Sequence, residues 1–137
     1  SLAGIRVGYA VGAPSLMGAL GKIKDSYNVN GLSQQIALEA IEDRAYFREI
    51  IDRIVKTRVD TTQALRSRGF VVLDSQTNFL WAKPPSRNAE DLFASLRADK
   101  ILIRHFPALA TREWLRISIG SDKGMERFLD SVDRCLM

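Results

Sequence analysis

From residue 43 to residue 68, Phe47, Ile50, Ile51, Ile54, Val55, Arg58, Val59, Thr62 and Leu65 recur at helical spacing. The opposite side carries Arg44, Arg48, Glu49, Asp52, Arg53, Lys56 and Arg66, charges that pair one turn apart and read as a solvated face. Asp43 is placed to cap this helix and Gly69 to end it. A helix this long with one apolar side must be laid against other elements, and the next seventy residues supply them. Residues 70–73 form a short strand, Ser75-Gln76-Thr77 turns the chain, and residues 78–82 form a second strand stopped by Pro84-Pro85-Ser86. Asn88 caps a helix to Ala98 with Leu92, Phe93 and Leu96 inward. Residues 101–104 are a third strand, and residues 105–112 a loop broken by Pro107. Residues 114–119 are a fourth strand, and Ser121 or Asp122 caps a final helix that turns Met125, Phe128, Leu129 and Val132 to the core. The expectation for residues 43–137 is a small α+β domain, a mostly antiparallel sheet covered by helices.

Residues 1–42 read as the end of another domain. Ser1-Leu2-Ala3-Gly4-Ile5-Arg6-Val7-Gly8-Tyr9 places one arginine in a run that, over residues 5–11, suggests a short buried strand. Charged groups are rarely buried unpaired, so Arg6 calls for an anionic partner, either a carboxylate of the protein or a bound ligand. Pro14 starts a helix to about Lys24 with Leu16, Ala19, Leu20 and Ile23 on one face. The polar turn Asp25-Ser26-Tyr27-Asn28-Val29-Asn30-Gly31 follows; Tyr27 and Asn30 either touch a ligand or belong to a loop that caps the next helix. Ser33 is the expected cap of that helix, which runs to about Glu42 with Ile36, Ala37, Ala40 and Ile41 apolar. A start at Ser1 inside a core strand suggests a piece of a longer protein, whose residues 1–42 would then expose apolar surface.

Of the 137 residues, 46% are hydrophobic and 26% charged, an ordinary globular balance. The net charge of +4 is spread among alternating acids and bases with no basic run interleaved with aromatics, so nucleic acid is not an expected partner. Nor is a membrane, since no apolar run is long enough to cross one. The one cysteine, Cys135, allows no internal disulfide and reads as packing at a helix end, which makes the cytoplasm the expected compartment. His105, the one histidine, has no metal-ligand partner or candidate serine nearby, and no P-loop or dinucleotide loop is present.

The chemistry-bearing segments are Leu102-Ile103-Arg104-His105-Phe106 and Trp114-Leu115-Arg116-Ile117-Ser118-Ile119-Gly120. Alternation on the second turns Arg116 away from the leucine–isoleucine face. If the two strands are neighbours, Arg104 and Arg116 converge on one anion, because two like charges repel unless something negative lies between them. The plain alternative is two surface arginines on a sheet edge. Asn78 reads as a strand-start residue satisfying backbone groups.

The opening Leu-Ala-Gly-Ile-Arg-x-Gly-Tyr, and the pairing of Ile-Leu-Ile-Arg with Leu-Arg-Ile-Ser-Ile-Gly a dozen residues on, resemble fold-type I aminotransferases that use pyridoxal 5'-phosphate (PLP). Within that group they look most like the histidinol-phosphate aminotransferase family. Asn78, in Thr77-Asn78-Phe79, also matches a family motif. The resemblance implies that residues 1–42 end a large PLP-binding domain and that residues 43–137 are the C-terminal small domain. It implies Arg6 as ligand of the cofactor phosphate, Arg116 as main ligand of the substrate's acidic group, and Arg104 as its helper. The family's Schiff-base lysine would fall about three residues before Ser1, so this chain alone is expected to be inactive. The implied substrate is a small phosphorylated amine or amino acid, and the implied parent enzyme a homodimer. Threonine-phosphate decarboxylases and aromatic aminotransferases share parts of the pattern. A free-standing anion-binding module is the remaining alternative.

Overall fold

A computed structural model describes residues 2–136 and divides the chain into two compact units that meet between Glu49 and Ile50. The first unit contains a 3-10 turn at Ala3–Ile5, helix α1 at Pro14–Ile23, helix α2 at Gly31–Glu42, and the opening turns of helix α3, which spans Arg44–Ser67. Pro14 takes the first turn of α1, where its missing N–H costs nothing. Asn30, not Ser33, caps α2: its side-chain oxygen accepts from the Ser33 backbone N–H at 2.9 Å. Asn30 thus makes the loop at residues 25–31 the cap of α2. Asp43 caps α3 through an Oδ1 that accepts from the Tyr46 N–H at 3.1 Å.

The buried strand expected over residues 5–11 is not found. The segment pairs with no strand among the described residues, and Tyr9 and Val11 are 83% and 91% exposed. A strand is made by its ladder partner, and apolar content alone does not supply one. Arg6 follows the 3-10 turn with φ of 59° and is exposed rather than buried. The helices form where the periodicity puts them, but their apolar faces stay open: Leu16, Leu20, Ile23, Ile36 and Ile41 are all exposed.

The second unit holds the rest of α3 and the elements β1 (Val71–Val72), β2 (Phe79–Lys83), α4 (Ala89–Ala98), β3 (Arg104–His105), β4 (Leu115–Ser118) and α5 (Asp122–Leu136). The strands form one antiparallel sheet in the order β1-β2-β4-β3. One face of the sheet presents Val72, Leu80, Ala82, Leu115 and Ile117. These pack with Leu65 of α3, Ala89, Leu92 and Leu96 of α4, and Met125, Phe128 and Val132 of α5 in a single core. The α+β expectation holds.

Within this unit the inward side of α3 is more polar than its periodicity suggests. Thr57, Arg58, Thr61 and Leu65 are buried, whereas Val55 and Val59 are exposed. Hydrogen bonds to distant parts of the chain make this tolerable. The Thr57 hydroxyl lies 2.7 Å from an Asp122 carboxylate oxygen, and Arg58 Nη1 donates to the Thr77 carbonyl at 2.7 Å.

Two helices end in the same way with different residues. At the end of α3, the Phe70 N–H returns to the Leu65 carbonyl and the Gly69 N–H to the Arg66 carbonyl, with Gly69 at φ +82°. At the end of α4, Ile101 returns to Leu96 and Lys100 to Arg97, with Lys100 forced to φ +61°. This motif also explains why the third strand starts at Arg104 and not at residue 101: the Ile101 N–H is committed to the helix. Lys100→Gly should stabilise the unit by about 0.5–1 kcal/mol in urea unfolding, since glycine takes the left-handed region freely. Gly69→Ala should destabilise it by at least about 1 kcal/mol, because a Cβ there also meets Pro85 Cβ at 3.2 Å.

Arg68 grips Asp133 of α5 with two hydrogen bonds, Nε to Oδ1 at 2.6 Å and Nη2 to Oδ2 at 2.7 Å. Those bonds hold the Asp133 carboxyl below its ordinary range. A lowered carboxyl adds stability above the unfolded value of about 4 and loses it as pH falls through the lower folded value. The Asp133 side chain is 46% exposed, so screening limits the effect. Asp133→Asn should cost about 0.5–1 kcal/mol at pH 7, and the gap from the unsubstituted protein should narrow when urea unfolding is repeated near pH 3.

Candidate functional site: an arginine pair on the open face of the sheet

The register of the sheet decides where the two arginines go. Arg104 of β3 stands directly opposite Arg116 of β4, and Arg116 in turn stands opposite Trp81 of β2. Directly opposed residues share a face with their Cβ atoms ~5 Å apart. Arg104, Arg116 and Trp81 therefore form a row across three strands, on the face away from the core, with Phe79 two residues from Trp81 on the same side.

Two cations in such a pair destabilise a sheet unless something offsets them. Among the described residues no carboxylate pairs with either arginine. Arg104 is exposed and Arg116 half-buried. Aromatic rings surround the Arg116 guanidinium instead: its central carbon lies 5.3 Å from the Phe79 ring centroid and 5.8 Å from that of Phe106. The Arg116 Nε is fully buried and has no hydrogen-bond partner. An unpaired buried donor costs about 1–3 kcal/mol. An oxyanion placed against the pair would offset the repulsion, through the fork of donors that guanidinium offers.

The loop between β3 and β4 is tied down beside this row. The Thr111 hydroxyl donates to the Phe106 carbonyl at 3.1 Å, and His105 Nε2–H donates to the Arg112 carbonyl at 2.8 Å. His105 is thus a loop brace. The rings of Trp81 and Phe106 pack at 5.7 Å and 41°.

A cleft of about 460 Å³ at the start of α4 includes neither arginine. The charges on its wall are largely engaged: Lys83 with Glu113 at 2.8 Å, and Arg87 with the Cys135 carbonyl at 2.8 Å. Among the described residues no group of three His, Cys, Asp or Glu side chains is placed to hold a metal, and no helix is long and apolar enough to cross a membrane. Arg6 lies in the other unit, exposed, and makes no side-chain hydrogen bond or ion pair among the described residues.

The spacing of the two arginine motifs points to the pair, which the register brings together. The aromatic surround is not legible from the sequence. Phe79 and Trp81 sit in a wholly apolar run that gives no hint of a lining role, and Phe106 sits in a loop.

A small antiparallel sheet backed by helices also occurs in solved aminotransferase structures. The profile of the family Aminotransferase class I and II matches residues 1–132, and the chain belongs to that family. It is 43% identical over 139 aligned residues to the histidinol-phosphate aminotransferase of Gluconacetobacter diazotrophicus, an alignment that covers 99% of this chain and 39% of that protein. It is 42% identical over 132 residues to histidinol-phosphate aminotransferase 1 of Nostoc, covering 96% of this chain and 37% of that one. The crystal structure of the Sinorhizobium meliloti histidinol-phosphate aminotransferase, in complex with pyridoxal-5'-phosphate, superposes with a TM-score of 0.81 at 26% identity, over 99% of this chain and 39% of that chain. The L-threonine-O-3-phosphate decarboxylase of Porphyromonas gingivalis shares the fold, with a TM-score of 0.73 at 22% identity over 92% of this chain and 40% of that one. The chain spans about two fifths of the length of the relatives it matches.

Proposed function

We propose that this chain is the C-terminal part of a PLP-dependent aminotransferase that moves the amino group of histidinol phosphate to 2-oxoglutarate, in histidine biosynthesis. In this reading residues 1–42 end the PLP-binding domain and residues 43–137 form the small domain. The observation that carries it is the Arg104–Arg116 cross-strand pair, with no carboxylate on either arginine among the described residues. Two cations with no protein counter-ion suit a substrate dianion better than a single carboxylate. Arg116 is the main ligand of the substrate phosphate and Arg104 its helper. Holding the phosphate at this fixed point orients the rest of the substrate, so binding energy from a remote group serves the reacting one.

Arg6 fits the cofactor's phosphate on chemistry: an exposed guanidinium with no protein carboxylate on it has its donor fork free. Bound PLP supplies an electron sink for the bonds at the substrate's amino-bearing carbon. The parent enzyme works as a cytoplasmic homodimer. The family's lysine matches no position here, so the purified 137-residue chain should show no amino transfer above a buffer blank in a coupled glutamate assay.

The test is to give the complete enzyme that carries this segment histidinol phosphate and 2-oxoglutarate and to follow glutamate. Glutamate formation supports the proposal. Carbon dioxide release from threonine phosphate without amino transfer would instead place the enzyme with the decarboxylases that share the fold.

A further inference from the structure

We infer that Phe79 and Phe106 are positioning residues for Arg116, holding its guanidinium in place while leaving its hydrogen-bond donors free for the ligand. The inference rests on the reading of Arg116 as an anion ligand and concerns how that arginine is kept ready.

A protein can fix an arginine in two ways. A carboxylate fixes it by ion pairing, but occupies the donor fork and cancels the charge. An aromatic face within about 6 Å of the cation attracts it without taking a single N–H. Arg116 has the second kind of support twice over, from rings on different elements: Phe79 on β2 at 5.3 Å and Phe106 on the loop after β3 at 5.8 Å. The loop ring is itself braced. Trp81 packs against it at 5.7 Å, and the Thr111 hydroxyl holds its backbone carbonyl at 3.1 Å. Neither ring takes an N–H of the guanidinium, and no carboxylate among the described residues pairs with it. Arg104, the exposed member of the pair, has no ring over it among the described residues. The two arginines thus differ: Arg116 is preorganised by its rings, and Arg104 is not.

The experiment uses the complete enzyme that carries this segment, labelled with ¹⁵N-arginine, with inorganic phosphate as the probe. The Arg116 Nε–Hε signal, assigned by its loss in Arg116→Lys, reports both the mobility of the guanidinium and phosphate binding. Phe106→Leu and, separately, Phe79→Leu should make that signal more mobile before phosphate is added and weaken phosphate binding roughly five- to tenfold. Phe106→Tyr, which keeps the ring, should restore both. Both phenylalanines are only half-buried, so the leucine variants are expected to fold, and unchanged amide spectra elsewhere verify it. If the unsubstituted enzyme responds to phosphate but both leucine variants keep its mobility and affinity, the positioning role is overturned while the anion-ligand role stands. If phosphate leaves the Arg116 signal of the unsubstituted enzyme untouched, the anion-ligand reading fails and the positioning role falls with it.

Discussion

Arg116→Gln should cut kcat/KM for a phosphorylated substrate by about two orders of magnitude in the enzyme that carries this segment. Hydrogen bonds from guanidinium to an anion are worth about 1.5–3 kcal/mol each, and a bidentate contact loses two of them at once, the more conservative sum being about 3 kcal/mol. Glutamine keeps a polar side chain but removes the charge, so Arg104 can no longer share the ligand. Arg104→Gln should cost less, about tenfold, because Arg104 is exposed and its contacts are screened by solvent. Steady-state kinetics on both variants checks the ordering. Equal losses would show that the aromatic surround of Arg116 confers no advantage.

Leu80→Ala should destabilise the second unit by about 3 kcal/mol and lower its melting temperature by roughly 15 °C. Leu80 is fully buried on β2, a strand flanked by both β1 and β4, and its side chain belongs to the core that joins the sheet to α3, α4 and α5. Its removal leaves a cavity that this small sheet cannot close by moving one edge. Val59→Ala is the matched control: Val59 is 46% exposed on α3, and the change should stay within about 0.5 kcal/mol. Thermal unfolding followed by circular dichroism separates the two.

The parts of the fold that were legible in the sequence are those set by local chemistry. Pro14, Asp43, Gly69 and Asn88 mark helix ends through single-residue preferences, and all four stand where those preferences put them. The apolar run at residues 5–11 misled for the opposite reason. A strand depends on a partner elsewhere, and nothing local to that run records whether one exists. The inward turn of Thr57 and Thr61 on α3 was hidden, and the partner of the Thr57 hydroxyl, Asp122, lies far along the chain. The site divides in the same way. Alternation alone shows that Arg116 leaves the apolar face, but only the register sets Arg104 opposite it, and only the folded loop brings Phe106 to its ring distance.

The most direct measurement is the ratio of kcat/KM for the phosphorylated amine donor to that for its dephosphorylated counterpart, taken with the unsubstituted enzyme and with Arg116→Gln. A large ratio that collapses in the variant is predicted, since the pair would be reading the phosphate and little else. A ratio that survives the loss of Arg116 would contradict the account, and the phosphate would have to be recognised elsewhere in the enzyme.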